Sequence, residues 1–148
     1  MYTIAIPLKD IDINNIIIKD LNPNKLIPNS SFCKLMYSTN DCYITSIPIC
    51  IYLHQFPSNY KYKFILHREK NNENINIIKN IEENLLQKYS DCLITNKRPV
   101  FKLYTHLISG VLKINYDIKT HPLFIIKLIG IWESQNEYGI TYRISNHS

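Results

Sequence analysis

Glycine is scarce in this chain, with three in 148 residues. Phosphate cradles of the GxGxxG or Walker type concentrate several glycines in one loop, and no such loop exists here. The four cysteines, Cys33, Cys42, Cys50 and Cys92, form no CxxC pair and fit no zinc-ligand spacing. They read as free, partly buried thiols of a reducing compartment. His67-Arg68-Glu69 matches the HxE half of a zinc-deaminase signature, but the P-C-x-x-C half is missing. The other histidines, His54, His106, His121 and His147, are scattered, and Glu82-Glu83 reads as a solvated helix face rather than an acid/base pair. The expectation is a protein that is not an enzyme and carries no cofactor or metal. No apolar run reaches the ~20 residues of a membrane-spanning helix. The segment Met1-Tyr2-Thr3-Ile4-Ala5-Ile6-Pro7 has neither the basic flank nor the long apolar stretch of a secretory leader. A soluble intracellular protein with no membrane partner is expected.

What is present points to a folded chain. Hydrophobic residues make up 45% and charged residues 20%, a balance that excludes disorder. The length suits one domain over residues 1–148, with an N-terminal strand and arm over 1–30 and a β-rich core over 31–145. Heavy use of Ile, Asn, Lys and Tyr matches AT-rich coding DNA, so the Asn-rich stretches carry little functional weight. A net charge of +5 and a pI near 9.0 suit an anionic partner without requiring one.

Periodicity gives the elements. Ile16-Ile17-Ile18 is a short strand, and Phe32 to Tyr37 a longer one, with a turn at Ser38-Thr39-Asn40-Asp41. Cys42 to Leu53 is β-rich, but Pro48 inside it argues for an edge or a break. Tyr60 to His67 alternates, with Tyr60, Tyr62, Phe64 and Leu66 on one face and Lys61, Lys63, Ile65 and His67 on the other. The period then changes. Ile75, Ile78, Ile81, Leu85 and Tyr89 predict one amphipathic helix over residues 74–89, capped by Asn72 or Asn74. Val100 to Leu107 reads as a strand, Ser109-Gly110 as a turn and Val111 to Tyr116 as the next strand. Leu123 to Trp132 and Tyr138 to Ile144 form a closing hairpin. Strands, one helix, then strands predict a mostly β, α+β fold, as an OB-like barrel or bent antiparallel sheet with the helix inserted.

Cations and aromatics interleave on these strands. Lys61 and Lys63 lie between tyrosines, Lys102, Tyr104 and His106 share one side of a strand, and Lys97 and Arg98 precede it. Single-stranded nucleic acid needs cations for phosphates and flat rings for bases, and a β surface presents both from alternate residues. The phosphate candidates are Lys61, Lys63, Lys102, Lys113, Lys127 and Arg143; the stacking candidates are Tyr62, Tyr104 and Tyr142. They cannot all share a face, because Tyr62 opposes Lys61 and Lys63, and Tyr142 opposes Arg143. Tyrosine is also a good strand former and lysine a common decoration of solvent faces, so a structural use competes at every position. The lone Trp132 reads first as core or rim packing.

The closing hairpin also carries a distinctive sequence. Lys127-Leu128-Ile129-Gly130-Ile131-Trp132-Glu133, followed by Glu137-Tyr138-Gly139-Ile140-Thr141-Tyr142-Arg143, resembles the C-terminal signature of a single-stranded DNA-binding family of large nucleocytoplasmic DNA viruses. Ile11-Asp12-Ile13, Lys34-Leu35-Met36-Tyr37 and Thr45-Ser46-Ile47-Pro48 follow in the family's order. The chain departs after Pro48, where Ile49-Cys50-Ile51-Tyr52-Leu53 replaces a Pro-Phe-Gly segment. The resemblance implies an OB-like domain binding single-stranded DNA, or RNA, in viral replication, recombination or repair. It implies a place in the host cytoplasm (the viral factory) or the nucleus, and homo-oligomer or replication-protein contacts. A viral protein-interaction or structural module on the same scaffold is the alternative, and a small enzyme built from scattered His and Glu is a third.

Overall fold

A computed structural model of the chain describes residues 5–19, 22–23, 30–41, 43–56, 63–93, 96–113 and 123–146. Its strands are β1 (Ile6–Pro7), β2 (Ile16–Ile18), β3 (Asn22–Pro23), β4 (Ser31–Ser38), β5 (Tyr43–Thr45), β6 (Ile47–Tyr52), β7 (Gln55–Phe56), β8 (Lys63–Leu66), β9 (Arg98–Val100), β10 (Val111–Lys113), β11 (Leu123–Glu133) and β12 (Glu137–Asn146). Its α-helices are α1 (Asn72–Leu93) and α2 (Lys102–Ile108), and single 3-10 turns lie at Leu8–Asp10 and Ile13–Asn15. The fold is therefore mostly β.

The long apolar run of β11 is the centre of a mixed sheet. One edge of β11 pairs antiparallel with β12 from Phe124↔Asn146 to Glu133↔Tyr138. The other edge is shared: β6 takes Leu123 to Leu128 and β4 takes Gly130 to Glu133. β1 adds parallel to β6, β9 adds parallel to β12, and β2, β3 and β5 flank β4. Ser46, with φ 59°, turns the chain from β5 into β6, and its N–H donates to the Leu35 carbonyl at 2.8 Å. A second sheet, in the order β10-β8-β7, packs Phe64 edge-on against Phe124.

The handover on β11 coincides with a bulge between Leu128 and Gly130. One extra residue reverses the alternation. Before the bulge Phe124, Ile126 and Leu128 face the core; after it Ile131 and Glu133 do. Against that face lies the apolar stripe of α1, with Ile75, Ile78, Ile81, Leu85, Leu86 and Tyr89 buried. Each such side chain contributes about 1.5–3 kcal/mol by leaving water. The N-terminal segment joins the same core through Leu8 and Ile16, and Lys88 Nζ donates to the Ile16 carbonyl at 2.6 Å.

Five expectations are corrected. The sheet does not close into a barrel: its terminal strands β1 and β9, two and three residues long, do not pair with each other. The segment expected as a strand from Val100 to Leu107 is mostly helix α2, because Leu103 and Leu107 are both buried on one helical side and a carboxylate holds its first turn. Neither Asn72 nor Asn74 caps α1. Asn71 precedes the helix and accepts Ile75 N–H, while its own buried amide exchanges two 2.7 Å bonds with the backbone of His54. Asn74 instead donates to the Tyr52 carbonyl at 2.9 Å. Glu82 is buried rather than solvated; Glu83 alone faces water and pairs with Lys79. Pro48 marks neither an outer edge nor the break itself: β6 lies between β1 and β11, and the break falls at Ser46.

At Gly130 the neighbouring strand leaves no room for a side chain. A Cβ there would meet the Cys33 carbonyl oxygen at 2.3 Å and the Phe32 ring at 2.3 Å. Gly130→Ala should therefore cost about 1–3 kcal/mol by overpacking, read as a lower urea midpoint. An unchanged midpoint would mean that β4 and β11 are not in this register.

Candidate nucleic-acid interface

Register assigns every residue of the main sheet to one of two faces. The helix-covered face carries the buried polar groups. Glu133, in the Trp-Glu doublet of the hairpin, accepts a hydrogen bond from the buried Tyr89 hydroxyl and an ion pair from Lys97 Nζ at 2.6 Å. Burial first, and then the neighbouring carboxylate, push the Tyr89 phenol far above its ordinary range, so it remains a donor. Tyr89 also packs against Tyr138 at 5.2 Å between ring centroids. Glu82 accepts the backbone N–H groups of Leu103 at 3.1 Å and Tyr104 at 2.9 Å. It thereby supplies from α1 the N-terminal cap that the sequence of α2 does not contain.

The opposite face is of different composition. Lys127 of β11 and Arg143 of β12 are direct cross-strand partners, and both are exposed. Like charges placed directly opposite destabilise a sheet, and neither cation has an acidic partner among the described residues. Lys34 of β4 lies opposite Gly130, and Phe32 opposite Trp132. The Trp132 indole lies against Gly139, where a Cβ would approach its ring at 2.9 Å, so only glycine leaves it room. Lys102 Nζ sits 4.7 Å from the indole centroid, a cation–π contact. Tyr52, opposite Leu123, is 61% exposed on the same side. Arg98 is exposed as well, balanced in part by Glu137 at 3.4 Å.

The candidates named from sequence divide accordingly. Lys127 and Arg143 come together on the face away from the helices, which is open only in part because Ile125, Pro48 and Met36 on it are buried; Lys102 reaches that face over Trp132. Tyr142 lies on the helix-covered face, half-buried, with its hydroxyl donating to the Lys102 carbonyl at 3.3 Å and within 3.2 Å of His106 Nδ1. Tyr104 sits on α2, packed against the core beneath Lys79 Nζ at 5.1 Å from its ring centroid. The structure thus does not bring Tyr104 and Tyr142 to the face of Lys127 and Arg143. Lys63 and Lys113 are register partners in the small sheet. Lys61 and Tyr62 lie outside the described residues.

Three contributors escaped the sequence reading: Phe32, Lys34 and Tyr52. The signal for the first two was the alternation of β4, with Cys33, Leu35 and Tyr37 buried and Lys34 outward. Burial lowers the His106 pKa, so this imidazole adds no charge at neutral pH. Among the described residues no group of three or more His, Cys, Asp or Glu gathers to hold a metal, and no helix is long and apolar enough to cross a membrane.

No protein-family model, no curated protein and no solved structure matches this chain.

The site's backing generates a pH prediction. Burial pushes the Glu82 carboxyl above its ordinary 4.5, outweighing the two backbone bonds that lower it. A carboxyl raised by folding stabilises most below its unfolded value and loses that contribution as pH rises through the folded value. Wild type should therefore lose stability relative to Glu82→Gln as pH climbs from 4.5 upward, followed by urea unfolding of both at each pH. A difference that stays constant across that window would contradict this environment for Glu82.

Proposed function

We propose that the open sheet face binds single-stranded nucleic acid, with DNA as the primary ligand, non-catalytically and with little sequence preference. Such a protein would coat strands during replication, recombination or repair. The observation that carries this reading is the Lys127–Arg143 pair. Two cations are held directly opposite one another with no acidic neighbour among the described residues, an arrangement that a phosphate relieves and that folding alone disfavours. Lys34 and Lys102 extend the charge, and Tyr52, Phe32 and Trp132 supply flat surfaces on the same side. Phosphate neutralisation gives affinity without sequence information, and stacking tolerates any base. The viral single-stranded DNA-binding signature that the hairpin resembles agrees with this reading. Lys102 has a defined part in it: its cation–π contact keeps the ammonium beside the indole, so one site offers a phosphate contact and a ring edge together.

Fluorescence anisotropy with labelled oligonucleotides tests the proposal. Wild type should bind thymidine and mixed-sequence strands alike, and affinity should fall steeply with salt. Lys127→Ala and Arg143→Ala should each flatten the log–log salt slope by about 0.7, without lowering the melting temperature. Negligible binding at physiological salt would favour a protein-interaction module on the same scaffold instead.

A further inference from the structure

We infer that a hollow beside Phe32, at the β4–β5 end of the open face, is a nucleotide pocket that takes one base against its apolar lining and the attached phosphate on Lys19 and Lys34. The inference rests on the strand-binding reading and specifies where one nucleotide of the strand would be held.

The hollow encloses about 600 Å³, within the size range of small-molecule sites. Its apolar lining includes Phe32, Met36 and Ile129. Ile129 is the additional residue of the β11 bulge, so the irregularity that reverses the strand also furnishes a wall. Tyr43 forms another side: it is 60% exposed, and its hydroxyl donates to the Met36 sulfur at 3.1 Å, which fixes the ring beside the opening. An exposed ring restrained by its own hydroxyl is suited to stacking, because little side-chain freedom remains to be lost.

The charge is equally specific. The Lys19 N–H donates to the Lys34 carbonyl at 2.9 Å, so two lysines far apart in sequence are fixed side by side at the pocket. Both side chains are exposed, and neither has an acidic partner among the described residues. A flat apolar ring carrying an anionic group satisfies both halves of this lining. Continuity selects a nucleotide from the molecules of that shape. Phe32 pairs across the strands with Trp132, and Lys34 with Gly130. A strand crossing Lys127 and Arg143 on the same face would thus have the pocket on its path.

Two probes separate the sources of the nucleotide: 2-aminopurine deoxynucleoside monophosphate, whose emission is quenched by stacking, and a fluorescein-labelled thymidine oligomer of about 12 nucleotides. Both are titrated into the full chain. The monophosphate should bind saturably with quenching, and Tyr43→Ala should weaken it about tenfold, the scale of one lost stacking contact. The Lys19→Ala, Lys34→Ala double variant should weaken it comparably and remove its salt dependence. All these side chains are exposed, so unchanged melting temperatures verify folding. Oligomer binding without monophosphate binding, or monophosphate affinity unaffected by Tyr43→Ala, overturns the pocket and leaves the strand reading intact. Monophosphate binding with no oligomer binding upholds the pocket and overturns the strand reading. Failure of both probes overturns both, and displacement of the monophosphate by a fatty acid of higher affinity overturns the assignment to nucleotides.

Discussion

The bulge in β11 is the constraint on which the rest of this structure depends. Side chains alternate with a period of two along a strand, so a continuous strand would carry one set of residues inward over its whole length. The additional residue at Ile129 breaks that rule once. Leu128 and Ile131 both reach the core, Lys127 and Trp132 both point away from it, and Glu133 enters it beside Tyr89. The same point marks the handover from β6 to β4 on the other edge. Gly130 makes that handover possible by admitting the Phe32 ring and the Cys33 carbonyl where any side chain would collide.

Two buried carboxylates then organise the helix layer. Burying a carboxylate is costly, and hydrogen-bond or charge partners offset part of that cost; the two carboxyl groups have different partners. Glu133 is matched by Lys97 and by the Tyr89 hydroxyl, joining β11 to α1 and to the segment before β9. Glu82 spends both oxygens on the first turn of α2. That helix is too short to be stable by itself; it is held by Glu82 and by Leu103 and Leu107 in the core. Its placement in turn carries Lys102 to the indole of Trp132. A carboxylate on the covered side thereby fixes the position of a cation on the open side.

These relations explain what was legible beforehand. The stripe of α1 was readable because five apolar residues recur at helical spacing and all five are buried. The closing hairpin was readable from its two apolar runs and short polar link, and the opposition of Tyr142 to Arg143 followed from simple alternation. Val100 to Leu107 was not, because Leu103 and Leu107 satisfy both a period of two and a period near four. What decides between them is Glu82, remote in sequence, and no local pattern announces a cap supplied from another helix. Lys34 and Phe32 were passed over for a similar reason. Their importance comes from facing Gly130 and Trp132 across β11, a pairing that exists only once the bulge has set the register.

The open face is the account's central claim, and lysine footprinting by acetylation and mass spectrometry addresses it most directly. With a saturating thymidine oligomer at low salt, Lys34, Lys102 and Lys127 should be protected while Lys79, on the helix side beside Glu83 and Tyr104, reacts as in the free protein. Protection of Lys79 with continued reactivity of Lys127 and Lys34 would place the ligand on the helix layer and contradict the account.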